Sequence, residues 1–212
     1  VLSSAAAPTL LIGGWTVAAR LQDGEFNSVT GTISALAADD AQHRWVMTAA
    51  LAGVGAAHVT TALALRPAPP VARWLIATGG VTAALVAANP LPTEGGHAPR
   101  HAVAAGVCFV SLGVWPAFSW RRRRASAVAA APGRATATGP EPASTFTPAP
   151  VPLPFRPAVA LAASGVLVAG LGWFFAELVK DGDRVGLSER VAAGTQAVWP
   201  LLAVLAARRR AR

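Results

Sequence analysis

The stretch WVMTAALAGVGAAHVTTALAL, Trp45 to Leu65, contains no Asp, Glu, Lys or Arg and closes on Arg66-Pro67. Crossing the hydrocarbon core of a bilayer takes roughly 20 mostly apolar residues in a helix. This run therefore reads as a membrane span. The same pattern recurs on both sides of it. An earlier run, Leu2 to Ala19, ends at Arg20, and a later one, Trp74 to Ala88, stops at Asn89-Pro90-Leu91-Pro92. A fourth, His101 to Trp120, is halted by Arg121 to Arg124. Ala158 to Val179 and Val191 to Ala207 complete the set, the last followed by an arginine-rich tail, Arg208 to Arg212. The expected fold is all-α, a polytopic bundle of about six transmembrane helices forming one membrane domain over residues 1–212.

Composition agrees. Hydrophobic residues make up 53% of the chain and charged ones 13%, against about 25% charged in a soluble domain. The net charge of +8 comes from basic clusters bordering the apolar runs. That placement suits an anionic inner leaflet and argues against a nucleic-acid partner. Cys108 is the only cysteine and lies in an apolar run, which excludes a disulfide framework and a cysteine metal site. Seventeen of the 18 basic residues are Arg, and alanine is abundant, a bias that points to a bacterial plasma membrane. The first run has no Lys or Arg ahead of it, so it reads as a retained span rather than a secretory signal.

Two connecting segments stand out. Residues 121–157 are rich in Pro, Ala, Ser and Thr and are expected to form a flexible cytoplasmic linker with polyproline character. The stretch LQDGEFNSVTGTISALAADDAQHR is too polar to cross, but its TISALAA predicts a short interfacial or re-entrant helix.

Lys and Arg are retained on the cytoplasmic side. With both termini inside, twelve basic residues lie inside (Arg66, Arg73, four at 121–124, Arg134, Arg156 and four in the tail) and six outside. Nine of the ten acids then fall outside or at the outer end of a span. Any proton or metal chemistry is therefore expected to open outward.

Glu177 lies inside the fifth run, where a carboxylate costs up to about 3 kcal/mol unless it pairs or takes up a proton. Trp173 is four residues earlier, on the same helical face. Arg190, His101 and Arg44 are the partners expected within reach; the alternative is a glutamate that merely fixes packing. His97 and His101 are spaced i, i+4, with Glu94 a turn before, but Pro99 and Gly95-Gly96 interrupt the helix and no third ligand appears in a recognised pattern. No metal is expected. His58, inside the Trp45–Leu65 run, is expected to hydrogen bond between helices. Asp39 and Asp40 read as an acidic helix start, and Asp181-Gly182-Asp183 as a tight turn. The seven Trp mostly fall near span ends, as an aromatic belt does. Phosphate-loop, dinucleotide, HExxH and GxSxG patterns are absent, and no cofactor is expected.

Three stretches occur in order: TISALAADDAQHRWVMTAAL, a histidine (His101) opening the fourth span, and GLSERVAAGTQAVWPLL. Together they resemble the domain-of-unknown-function 998 family of bacterial multi-pass membrane proteins. By that resemblance Ser34, Arg44, Trp45, His101, Glu177, Glu189, Arg190 and Gln196 match the family's recurrent polar and aromatic positions. The linker is longer and richer in proline than the family pattern. The resemblance implies the fold and supplies no reaction.

Three functions follow as expectations. One is a membrane component without an enzyme signature, its outer polar groups forming a packing network. A second is an intramembrane enzyme on a lipid or isoprenoid, akin to terpene cyclases. There Glu177 and His101 would serve as acid and base, with Arg44, Arg190, Trp173 and Gln196 binding substrate. The third is a small transporter. All three place the chain among membrane lipids, with a lipid-like ligand in the second.

Overall fold

Proline opens three of the long helices, at Pro70, Pro99 and Pro157. At a first helical position its missing N–H leaves nothing unsatisfied and its fixed φ suits the helix. The computed structural model describes residues 1–93, 98–120 and 151–209. The helices are α1 (Leu2–Arg20), α2 (Trp45–Ala64), α3 (Pro70–Ala88), α4 (Pro99–Val114), α5 (Pro157–Val179) and α6 (Val185–Arg208). α4 continues through a 3-10 turn at Trp115–Phe118, so six helices are long and apolar enough to cross a membrane. Among the described residues there is no strand. The protein is an all-α, multi-pass membrane protein.

Each helix packs against its neighbour in sequence where the connection is short: α1 on α2, α2 on α3, α3 on α4, α5 on α6. α6 returns to α1, and α4 meets both α5 and α6, which closes the bundle. Small residues allow the tightest approach. A Cβ added at Gly55 of α2 would lie 2.5 Å from the carbonyl oxygen of Gly80 on α3, and one at Gly80 would lie 2.7 Å from that of Gly55. Close backbone contact of this kind drives helix association in lipid, where apolar burial alone gives little. Large apolar side chains such as Leu63, Val103, Val166 and Val179 are exposed on the outside of the bundle, as lipid-facing residues are.

The two ends of the bundle differ. At the end holding the termini, Ile76, Trp115, Phe155 and Ala203 form a buried apolar cluster. Phe155 belongs to a 3-10 turn, Leu153–Phe155, so the last residues of the expected linker pack into the core. The rest of that linker, 121–150, lies outside the described residues, as do Glu94 and His97. At the opposite end, the 21–44 loop folds over the bundle. Its Ser34–Ala37 segment is a 3-10 turn, and Ile33 and Leu36 are buried against Leu11, Met47 and Ala104. The helix expected from TISALAA at the interface is therefore a single turn plugged into the core.

α6 starts at Val185, six residues before its expected beginning at Val191. The residues GLSER are polar enough to read as loop, yet they complete a helical turn that the 21–44 loop covers. Leu187 N–H donates to Val29 C=O at 2.9 Å, and Gly186 lies against the carbonyls of Ser28 and Gly31. The expected tight turn before α6 closes at Asp181, whose φ of 49° is the left-handed conformation that Asp tolerates. Among the tryptophans, Trp45 and Trp74 are exposed near span ends, whereas Trp115 is fully buried and belongs to the core.

Candidate functional site

Three polar side chains from three elements meet where the 21–44 loop caps the bundle. Glu189, near the start of α6, is 4% exposed, and His101, in the first turn of α4, is 7% exposed. Ser34, from the loop, stands between them. Glu189 Oε2 accepts from the backbone N–H of Ile33, and Oε1 lies 3.4 Å from Ser34 Oγ. Ser34 Oγ is 3.1 Å from His101 Nε2. On its other side His101 Nδ1 lies 2.8 Å from the carbonyl oxygen of Asn89.

Counting protons on this chain constrains its chemistry. A carbonyl only accepts, so Nδ1 of His101 carries a hydrogen. Ser34 has one hydroxyl proton to share between two neighbours. With one proton shared between His101 and Glu189, two arrangements satisfy every contact. In one, neutral His101 accepts from Ser34, and Glu189 donates to Ser34 as a carboxylic acid. In the other, the imidazolium donates to Ser34, which donates to the Glu189 carboxylate. They differ by one proton relayed from Glu189 to His101 through the serine hydroxyl. This is the geometry of a general acid and a general base coupled in series.

A crevice of about 230 Å³ opens beside this chain between α4 and α5. Ser34, His101 and Glu189 form its polar end; Phe109, Phe174 and Phe175 line its apolar part. Phe109 and Phe174 pack with ring centroids 5.4 Å apart, and Phe175 is exposed on the outer face of α5. The crevice is thus polar at one end and apolar along its length.

Arg190, next to Glu189, serves the loop. Its Nη1 donates to the carbonyls of Ser28 (2.9 Å), Gly31 (2.7 Å) and Gly186 (2.9 Å). The guanidinium carbon lies 5.8 Å from the ring centre of Phe26 and 5.9 Å from that of Trp15. This one side chain fastens the loop that carries Ser34 onto α6.

The remaining candidates are dispersed. Glu177 accepts from Trp173 Nε1–H at 3.2 Å and from the backbone N–H of Arg184 at 3.1 Å. It closes the α5–α6 turn, and the carboxylate linked to His101 is that of Glu189. Arg44 pairs with Asp39, both about half exposed (46% and 49%) at the start of α2. Gln196 lies two turns along α6 from Glu189; its Nε2–H donates to Phe109 C=O at 3.1 Å, while its Oε1 is buried without a partner. His58, expected to bond between helices, has neither ring nitrogen hydrogen bonded among the described residues. No group of three metal-ligating side chains occurs among the described residues.

In the sequence Ser34 stands out only through the family resemblance, and Glu189 through that and as one of the nine outer acids. The signal that links them is the capping relation: a polar GLSER turn and a half-apolar loop, each with too little apolar surface to be buried alone, cover one another.

No curated protein and no solved structure matches the chain. A family model described as Protein of unknown function (DUF998) matches residues 4–139, a stretch that carries Ser34 and His101 and ends before Glu189. With more than half of its residues matched, the chain belongs to that family.

Proposed function

We propose that the protein takes an amphiphilic molecule, a lipid or an isoprenoid, sideways from the bilayer and holds its polar head on the His101–Ser34–Glu189 chain. The observation that carries this reading is the shared crevice. The hydrogen-bonded His101–Ser34–Glu189 chain forms one end of a cavity whose other walls include Phe109, Phe174 and Phe175 and reach the lipid-facing side of α5. An acyl or prenyl tail suits the phenylalanine-lined part, and a head group that donates or accepts hydrogen bonds suits the relay. The relay can give a proton to that head group or remove one, so acid–base chemistry on a bound amphiphile is the reaction class it fits.

The excess of arginine on the side of the termini supports a cytoplasmic placement of both ends. The crevice then opens in the outer half of the membrane. The bias towards Arg and Ala supports a bacterial plasma membrane. A second reading, a packing network without a ligand, is favoured by Arg190, which fastens the loop through the carbonyls of Ser28 and Gly31 and also bonds Gly186 of its own helix.

Photolabelling separates the two. Diazirine-tailed phospholipid and diazirine-tailed prenol are added to the purified protein, and the labelled peptides are mapped. Gly106 lines the crevice, and a Cβ added there meets nothing within 4 Å, so Gly106→Phe adds bulk to the crevice wall while leaving Ser34, His101 and Glu189 unaltered. Labelling of the Phe174–Leu178 segment by one probe, abolished in G106F, is the expected result. Labelling spread evenly over the outer surface and unchanged in G106F would leave only the packing network.

A further inference from the structure

Adjoining the crevice, a second cavity of about 70 Å³ lies inside the bundle. Glu189, Gln196, His58 and Cys108 contribute its polar wall; Val54 and Leu112 are among its apolar lining. His58 and Gln196 are each 1% exposed, yet both ring nitrogens of His58 and Oε1 of Gln196 have no partner among the described residues. A neutral imidazole offers one donor and one acceptor, and an amide oxygen offers an acceptor. Three such atoms left bare in one apolar core is a costly arrangement. Here they are gathered around a single space.

Apolar cavities stay dry, whereas polar ones hold water that satisfies buried groups. One water needs roughly 10–15 Å³ of this kind of volume, so the chamber has room for several. Along α6, Glu189 and Gln196 are seven residues apart, a rise of ~10 Å, about the length of a short file of waters. Ser34, Ala105, Phe109 and Glu189 line both cavities, so the carboxyl borders crevice and chamber alike.

We propose that the chamber is an interior binding site for water, and that a short file of water molecules there carries protons between Glu189 and His58. In each step a water accepts one proton as it releases another, so O–H bonds broken and formed balance; the file is left with its hydrogen bonds pointing the other way, and the waters turn back before the next proton passes. The crevice relay is thereby extended into the bundle core. The titratable groups facing this path are Glu189, His58 and Cys108 from the chamber wall, and His101 across Ser34. The inference stands on the chamber alone and does not depend on what the crevice binds.

Cys108, the single cysteine, supplies the test because it lines the chamber and its S–H stretch falls in an otherwise empty region of the infrared spectrum. The purified full chain is moved into heavy water, and conversion of S–H to S–D is followed beside exchange of the backbone amides. A wet chamber predicts conversion at least about tenfold faster than exchange of the slowest helix amides. An S–H that persists as long as those amides would overturn the proposal. His58→Leu gives a second readout. If waters bond to His58, the variant has a lower Tm. An unchanged or raised Tm, the outcome of removing a dry and unpaired polar group, would contradict the water file.

Discussion

Glu177 and Glu189 stand on either side of one turn, at the end of α5 and the start of α6, and their surroundings are opposite. Glu177 sits in an apolar run, the setting in which a carboxylate attracts attention in a membrane protein. It is only partly buried, and it bonds to Trp173 and to the backbone of its own turn. Glu189 sits in the polar sequence GLSER and reads as loop. It is 4% exposed and bonds to Ile33 and Ser34, more than 150 residues away in the chain (separations of 156 and 155). Local hydropathy ranks the two in the wrong order because burial at a membrane surface depends on what folds over the residue. Here the cover is the 21–44 loop.

The largest effect is expected at Glu189 itself. Glu189→Leu leaves the buried Ile33 N–H without an acceptor and strips the Ser34 hydroxyl of its carboxyl partner, and a stability loss of about 3 kcal/mol is expected from thermal unfolding in detergent. Glu177→Leu removes two hydrogen bonds at a partly wet turn and should cost about 1 kcal/mol. Equal losses would mean that the two environments do not differ as described. Next comes the fastening of the loop. Arg190→Met removes three carbonyl contacts at a partly buried guanidinium, for about 2 kcal/mol in the same assay. Arg190→Lys should recover little, since an ammonium cannot reproduce the planar guanidinium fork that meets these carbonyls between Phe26 and Trp15.

Smaller effects sharpen the picture. Ser34→Ala interrupts the chain from His101 to Glu189 while leaving the Ile33 contact, so about 1 kcal/mol of stability is expected to go. Photolabelling of the crevice should fall with it. At the exposed end of α2, Arg44→Ala breaks only a surface pair with Asp39 and should change stability by less than about 0.5 kcal/mol. A large loss of labelling in R44A would instead give Arg44 the head-group role expected from the sequence.

The helical bundle was legible in the sequence because each span is a contiguous, one-dimensional signal. Trp45 to Leu65 needs no knowledge of its neighbours to be recognised. The site was legible only in part. His101 stood out as a histidine opening a span, and Ser34 and Glu189 surfaced through the family resemblance. Their meeting depends on the 21–44 loop reaching across to α6, held by Arg190 and by the Leu187–Val29 hydrogen bond. No periodicity within either segment encodes that contact. The interior chamber was less legible still. His58 and Gln196 belong to different helices, and their lack of partners becomes visible only once the helices are packed.

In the proposed function Glu189, rather than Glu177, is the carboxyl that serves the crevice. The most direct measurement compares Glu189→Ala with Glu177→Ala in the photolabelling assay, at a temperature where both variants remain folded by circular dichroism. Labelling of the Phe174–Leu178 segment is expected to disappear in E189A and to match the unaltered protein in E177A. The reverse pattern, label kept in E189A and lost in E177A, would contradict the account.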